Sequence, residues 1–222
     1  MIQEFKLSMR LLKYGHTYRS GLVFGGIFLA MGIALSLLSI WGDGVPMSGY
    51  MFAMPAILLL QTLWSLSVAR FGLTSPKRKH LQTTLPAVLC LFLLTPQYLL
   101  VVLLQGVIAA VMPERFYVCC VVVLYTAFFV GVVTVYAGFC YKIFFLANVF
   151  LTTMVCITIP YQKMLQPFLK DRLSANGGTY LLVSVSGLLF IWFTVAVQLW
   201  VSRLLYRKPL SKWAQYRDLR QI

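Results

Sequence analysis

Six long apolar runs, separated by short polar segments, dominate the pattern of hydrophobic and polar positions along this chain of 222 residues. They cover approximately residues 21–41, 50–69, 85–111, 116–137, 141–159 and 179–201. Each run is close to the roughly 20 residues that an α-helix needs to cross a bilayer at about 1.5 Å per residue. The pattern therefore predicts an all-α integral membrane protein with six transmembrane helices. The third run is the longest and contains Pro96, which predicts a kinked or tilted helix.

A shorter amphipathic segment, residues 2–18, precedes the first run. At helical spacing its apolar face consists of Ile2, Phe5, Met9 and Leu12, and the adjacent stripe is basic, with Lys6, Arg10 and Lys13. This arrangement predicts a helix that lies in the membrane interface with its cations among the lipid headgroups. The alternative is a soluble extension of the first span.

The basic residues are unevenly distributed over the segments between the runs. If the N-terminus is cytoplasmic, fifteen Lys and Arg side chains fall on the cytoplasmic side and four fall outside. Because cytoplasmic loops of membrane proteins carry the excess of Lys and Arg, this split predicts that both termini are cytoplasmic. Residues 202–222 then form a basic cytoplasmic tail, and the outer segment 160–178 has room for one short helix. No second domain fits, so residues 1–222 are expected to form a single transmembrane domain.

Composition agrees with this class and narrows the functions. Apolar residues make up 60% of the chain and charged residues 11%, whereas an average soluble domain is about half apolar and about a quarter charged. The net charge of +14 is typical of proteins that bind nucleic acid. Here, however, nearly all the cations lie between apolar runs, so the sequence predicts contact with membrane lipid and no nucleic-acid binding.

A search for catalytic residues finds no candidate site. The five cysteines lie inside or at the ends of apolar runs without CxxC spacing, and the five acidic residues all lie outside the runs. The sequence contains no glycine-rich phosphate-binding loop with the G-x-x-x-x-G-K-[ST] pattern. We therefore predict no catalytic residue, no metal site and no cofactor on this chain, which is not expected to be an enzyme by itself.

Neutral amide side chains interrupt the apolar runs at five positions. These are Gln61, Gln97, Gln105, Asn148 and Gln198. Since an amide in hydrocarbon requires a partner, each should face another helix or a wet cavity. The sequence leaves open whether these residues hold helices together or line a substrate path.

Small residues recur on the first run at intervals that favour close helix contact. The ladder consists of Gly21, Gly25, Gly26, Ala30 and Ala34. Such spacing lets two helix backbones approach each other in a membrane. The partner helix could belong to this chain or to another subunit.

The polar segment between the second and third runs, residues 70–86, has the features of a short separate helix. Gly72 is suited to end the preceding helix, and Ser75 followed by Pro76 is a typical helix start, with serine as the N-cap and proline in the first turn. The cations Lys77, Arg78 and Lys79 follow directly. The alternative is a simple topogenic anchor, which needs the charges but not the capped start.

The layout of these elements resembles the permease subunits of type-two ABC exporters. In that family an amphipathic elbow helix precedes six spans, and a short basic coupling helix lies between the second and third. The stretches Met9–Tyr14 (MRLLKY) and Tyr206–Lys212 (YRKPLSK) are similar to small clostridial members. The resemblance extends over the whole chain, although family members often have a longer segment between spans five and six.

The resemblance implies a multi-pass protein of a bacterial plasma membrane that works with other subunits. A separate ATPase subunit, which would carry ATP and Mg, is expected to dock on Pro76, Lys77, Arg78, Lys79, His80, Leu81 and Gln82. A minor contact would form around residues 138–142, and a second permease subunit, identical or similar, would complete the transporter. Acid-free, aromatic-rich spans suit an amphiphilic or hydrophobic substrate.

Two other functions fit the sequence. One is a substrate-binding subunit of a vitamin importer, and the other is a non-transport membrane protein such as an immunity or scaffold subunit. A partner ATPase that co-purifies with the chain would distinguish the exporter from the non-transport protein.

Overall fold

The computed structural model describes residues 2–15, 18–38, 47–68, 76–139 and 142–208, and within these ranges it contains helices and no strand. Within these ranges the α-helices, in chain order, are α1 (Ile2–Leu12), α2 (Tyr18–Leu38), α3 (Met47–Val68), α4 (Arg78–Val111), α5 (Phe116–Phe139), α6 (Phe144–Arg172) and α7 (Gly177–Leu205). A short 3₁₀-helix, Pro113–Arg115, connects α4 to α5.

Four of these helices are long and apolar enough to cross a bilayer: α2, α4, α7, and α5 together with the 3₁₀-helix before it. Shorter apolar stretches lie in α3 at Gly49–Leu63 and in α6 at Phe145–Met154. Many large apolar side chains on α2, α4 and α7 are exposed on the outside of the bundle, which a soluble protein of this size rarely shows. These features indicate a membrane-embedded protein.

Helix α5 lies at the centre of the bundle and packs against α3, α4, α6 and α7. Its buried side includes Cys120, Val123, Ala127 and Val130. Small and β-branched side chains of this kind let helices approach closely, and at Gly131 a Cβ would collide with the Phe190 ring of α7. The close contact between α5 and α7 therefore depends on a glycine.

Helices α2 and α3 form an antiparallel pair. A Cβ added at Gly25 would lie 3.3 Å from the Cβ of Pro55, and one at Gly32 would lie 3.1 Å from the Phe52 ring. Glycine at both positions lets the α3 side chains rest on the α2 backbone.

Two tyrosines connect α4 and α7, which also run antiparallel. The Tyr98 hydroxyl donates to the Ser184 carbonyl at 3.0 Å, and the Tyr180 hydroxyl donates to the Val102 carbonyl at 2.6 Å. Each bond satisfies a polar group inside the bundle and fixes the register of the two helices.

Basic residues gather at one end of the bundle, where α4 begins and where α5 and α7 end. We call it the basic end. Its exposed cations on α1, α4 and α7 include Lys6, Arg10, Lys13, Lys77, Lys79, Arg203, Arg207 and Lys208. Near the opposite end, the Tyr117 hydroxyl of α5 donates to the Leu173 carbonyl just after α6, at 2.8 Å.

Helix α1 packs against the bundle through most of its predicted apolar face. It ends at Leu12, Tyr18 already belongs to α2, and its apolar side packs against α3 and α4. Leu12 is 0% exposed, and the Phe5 ring stacks on Phe92 with centroids 4.8 Å apart. Ile2, which was expected on the same face, is 65% exposed. The apolar stripe therefore binds protein over most of its length, because α3 and α4 offer a complementary apolar surface.

Two helices continue past the expected ends of the apolar runs. Helix α4 begins at Arg78 rather than near residue 85 and includes both Pro86 and Pro96, and α6 continues to Arg172 rather than ending near residue 159. The outer segment 160–178 is therefore largely an extension of α6, not a loop with a separate short helix. The end of an apolar run marks only where polar residues begin. Lys, Gln and Leu have high helix propensity, so a helix can continue past that point.

Candidate docking surface and buried polar cluster

The docking segment expected from the sequence comprises the turn residues Pro76 and Lys77 and the beginning of α4. The N-cap is Lys77, whose side chain does not cap the helix, and the Leu81 amide donates to the Lys77 carbonyl at 3.0 Å. Ser75, the expected N-cap, lies outside the described residues. The segment is thus not a separate capped helix: it is continuous with a helix of 34 residues, about 51 Å long.

Within this segment, exposure separates the basic residues from the others. Pro76, Lys77 and Lys79 are exposed, Arg78 and His80 are half-buried, and Gln82 is buried. Leu81 is half-buried and packs against this chain's own core. The surface available to a partner is therefore basic, and the leucine that was expected to anchor the partner already has an intramolecular role.

His80 connects this first turn to α1. Its Nε2 lies 3.7 Å from Oε1 of Glu4, and both side chains are one third exposed. When His80 is protonated the pair becomes a surface ion pair, which typically contributes at most about 1 kcal/mol. Together with the Phe5–Phe92 stack, this contact keeps α1 beside the start of α4.

A second feature of the basic end is a buried lysine in the turn between α5 and α6. Lys142 is 5% exposed, and its ammonium donates to the Lys208 carbonyl at 2.6 Å and to the Tyr206 carbonyl at 3.3 Å. The last carbonyls of a helix accept no hydrogen bond from the helix itself, and they form the negative end of its dipole. A cation beside them is therefore favourable. Lys142 therefore caps α7 from outside at the carbonyl of the C-cap residue Tyr206, and it also binds the following turn at Lys208.

Burying this cation costs free energy, and the cost lowers the pKa of its ammonium group. Burial lowers the pKa of Lys142 below its ordinary value, and the nearby charge of Arg78 lowers the pKa further. Charge-assisted bonds to the two carbonyls oppose this cost. A neutral amine at Lys142 would keep two N–H groups, one for each carbonyl.

Next to this lysine lies a buried polar cluster formed by Cys90, Gly138, Gln198 and Ser202. The Ser202 hydroxyl donates to the Gly138 carbonyl at 3.2 Å. The Gln198 side chain is 1% exposed and lies beside the Cys90 thiol. Apart from this weak thiol contact, the amide oxygen and nitrogen of Gln198 have no hydrogen-bond partner within the described part of the chain.

The five amides of the apolar runs differ in their surroundings. Gln105 is buried on α4, about 22 Å along the helix axis from Cys90, whereas Gln198 lies beside Cys90. Gln61 is exposed, and Gln97 and Asn148 are half-buried. Only Gln198 belongs to the cluster at the basic end.

The ladder of small residues on α2 divides between two faces. Gly21 and Gly25 are buried against α3, while Gly26, Ala30 and Ala34 are exposed. A Cβ at Gly26 would meet nothing within 4 Å. The observed contact face continues instead through Gly32 and Ser36.

Sequence reasoning missed the role of several residues at the basic end. Residues 138–142 were expected to form a minor docking contact, and the structure places Gly138 and Lys142 in buried positions against α7. The sequence placed Cys90 inside an apolar run without indicating its position beside Gln198. The one signal of a buried role in the sequence was the position of Lys142 at the very start of an apolar run.

The described residues contain no group of three or more His, Cys, Asp or Glu side chains placed to hold a metal ion. Comparisons with protein-family models, with curated proteins and with solved structures found no match to this chain. The functional argument therefore rests on the geometry of the basic end.

Proposed function

We propose that this chain is the permease subunit of an ATP-driven exporter in a bacterial plasma membrane, moving an amphiphilic or hydrophobic substrate. It would span the membrane six times with both termini in the cytoplasm. A separate ATPase subunit, carrying ATP and Mg, would dock at the basic end, and a second permease subunit would complete the transporter. The chain alone is expected to hydrolyse no ATP.

The observation that carries this proposal is the continuity of α4. The exposed cations Lys77 and Lys79 lie on the first turn of a helix that runs about 51 Å without interruption, from Arg78 to Val111. A partner that binds this turn and moves would displace the whole helix, because a continuous helix transmits force to the residues packed along it. Helix α4 contacts α3, α5 and α7, so its displacement would reach most of the bundle.

The directions of the helices support six spans. From α2 to α7 they alternate in direction: α2 and α3 pair antiparallel, and α5 and α7 both end at the basic end, where α4 and α6 begin. Six alternating helices would place α1 and the residues after α7 on the same side of the membrane. Positive residues concentrated at that side favour the cytoplasm.

Charge reversal at the docking turn provides the experiment. Lys77→Glu combined with Lys79→Glu should abolish co-purification with the ATPase, since acidic residues on the partner rim would then be repelled. The matched control is Lys170→Glu with Arg172→Glu, two exposed cations in the last turn of α6 near the opposite end. The control pair should leave co-purification unchanged.

Leu81→Asp is unsuitable for this purpose, because Leu81 packs against the chain's own core. Equal ATPase recovery with the Lys77/Lys79 variant and the wild-type chain would refute docking at this turn. Loss of membrane insertion in that variant would instead identify the cations as a topogenic anchor.

A further inference from the structure

The unsatisfied amide of Gln198 is the starting point. More than nine in ten buried polar groups in folded proteins have a hydrogen-bond partner, and hydrocarbon supplies none. The Gln198 side chain is 1% exposed, and its polar neighbour within the described residues is the Cys90 thiol, which cannot satisfy the amide oxygen and the amide nitrogen together. The neighbouring Cys90 thiol is only a weak donor and acceptor. The packing that buries Gln198 is therefore unfavourable at this residue and must be held by other contacts.

Besides the apolar packing of α5 on α7, two sets of hydrogen bonds contribute to that hold, and both lie between Gln198 and the end of α7. The Ser202 hydroxyl is bonded to the Gly138 carbonyl at 3.2 Å. One turn further on, the Lys142 ammonium is bonded to the Lys208 and Tyr206 carbonyls. Each set joins α7 to α5 or to the turn that follows α5. Hydrogen bonds from a charged donor are about twice as strong as neutral ones, so Lys142 contributes the larger share.

The backbone at Gly138 covers Gln198 directly. A Cβ added at Gly138 would lie 3.2 Å from the Gln198 carbonyl oxygen and 3.3 Å from its Cγ. The α5 backbone thus rests directly on Gln198. A small outward movement of the end of α7 would open this contact and let water or a polar ligand group reach the amide.

From these contacts we infer that the ends of α5 and α7 form a gate, which Lys142 and Ser202 latch shut over Gln198. Release of the latch hydrates the Gln198 amide and opens a polar entrance from the basic end. The entrance suits uncharged groups that donate and accept hydrogen bonds, such as the polar part of an amphiphile. A role of the gate in transport rests on the proposed function. The latch itself can be tested without a substrate or an ATPase.

Cys90 provides a native reporter, since it is 0% exposed and lies beside Gln198. The other four cysteines are replaced by alanine, and the purified chain is placed in lipid nanodiscs. A charged methanethiosulfonate reagent then measures how fast Cys90 becomes accessible. Lys142→Met should accelerate modification about ten-fold, and Ser202→Ala less strongly, because each removes part of the latch.

Gln198→Leu distinguishes a latch from general disruption, because it should have the opposite effect. Replacing an unsatisfied amide by an apolar side chain of similar size favours the closed state, so Cys90 should react several-fold more slowly. This variant and Ser202→Ala keep the inference testable if Lys142→Met does not fold.

Two controls locate the opening. Thr134→Val removes a buried hydroxyl that bonds only within α5, to the Val130 carbonyl at 2.7 Å, and should leave the Cys90 rate unchanged. A second reporter, Cys120 as the sole cysteine, is 1% exposed near the other end of α5 and should stay unreactive in the Lys142→Met variant. Equal acceleration at Cys90 and Cys120, or an unchanged Cys90 rate in both latch variants, would overturn the inference. Faster Cys90 modification with Gln198→Leu would also overturn it. Loss of ATPase binding would not bear on any of these rates.

Discussion

At the scale of single residues, Gly25 and Gly26 of α2 are neighbours with different surroundings. Gly25 faces Pro55 of α3, whereas Gly26 faces open space. The contact stripe follows Gly21, Gly25, Gly32 and Ser36, whose spacings of four, seven and four keep them on one side of the helix. Since each residue turns by about 100°, Gly26 and the residues four and eight positions beyond it point elsewhere.

This difference allows a paired test. Gly25→Leu should lower the free energy of unfolding by about 1–3 kcal/mol, because the side chain would be forced into Pro55. Gly26→Leu should change stability little or raise it by up to about 0.8 kcal/mol through helix propensity. Thermal unfolding in detergent would measure both. Equal losses would show that the α2–α3 contact is not the one described.

At the scale of elements, α1 is an amphipathic helix whose apolar side packs on the bundle. Its cations Lys6, Arg10 and Lys13 are exposed, as the sequence predicted, but Leu12 and Phe5 are in contact with protein. An apolar stripe on a helix indicates that the face will be buried, not what will cover it. Lipid and a neighbouring helix are equally apolar, so only the folded chain decides between them.

The packing of α1 predicts unequal effects of two truncations. Phe5→Ala should cost about 1–2 kcal/mol more than Leu7→Ala, because Phe5 loses buried area and its stack on Phe92 while Leu7 is 38% exposed. Thermal unfolding of each purified variant supplies the comparison. A helix that lay freely in the interface would show similar losses for both residues.

At the scale of the whole molecule, the alternating directions of α2 to α7 predict which positions face outwards. In a chain without its five native cysteines, Ser174→Cys should react with an impermeant thiol reagent on intact cells. Arg207→Cys, at the basic end, should react only after the membrane is permeabilised. Both positions are exposed, so access to the side chain does not limit either result. Labelling of position 207 in intact cells would reverse the proposed orientation.

By itself the sequence determined that the chain is helical and membrane-embedded, because long apolar runs have few other stable forms. It also located the exposed cations of α1 and of the first turn of α4. Helix ends were harder to predict: polar residues such as Arg78 and Lys170 mark a change of surroundings, but they do not stop a helix.

Only the tertiary structure decided which residues meet at the basic end. Lys142 and the carbonyls of Tyr206 and Lys208 are separated by more than 60 positions in the chain, and local patterns carry no information about such pairs. The same holds for Cys90, Gly138 and Gln198, which come from three helices. In a membrane protein apolar residues cover every helix face, so hydrophobicity cannot show which side points inward. That choice depends on the fit of individual side chains between helices, and the gate over Gln198 is a product of that fit.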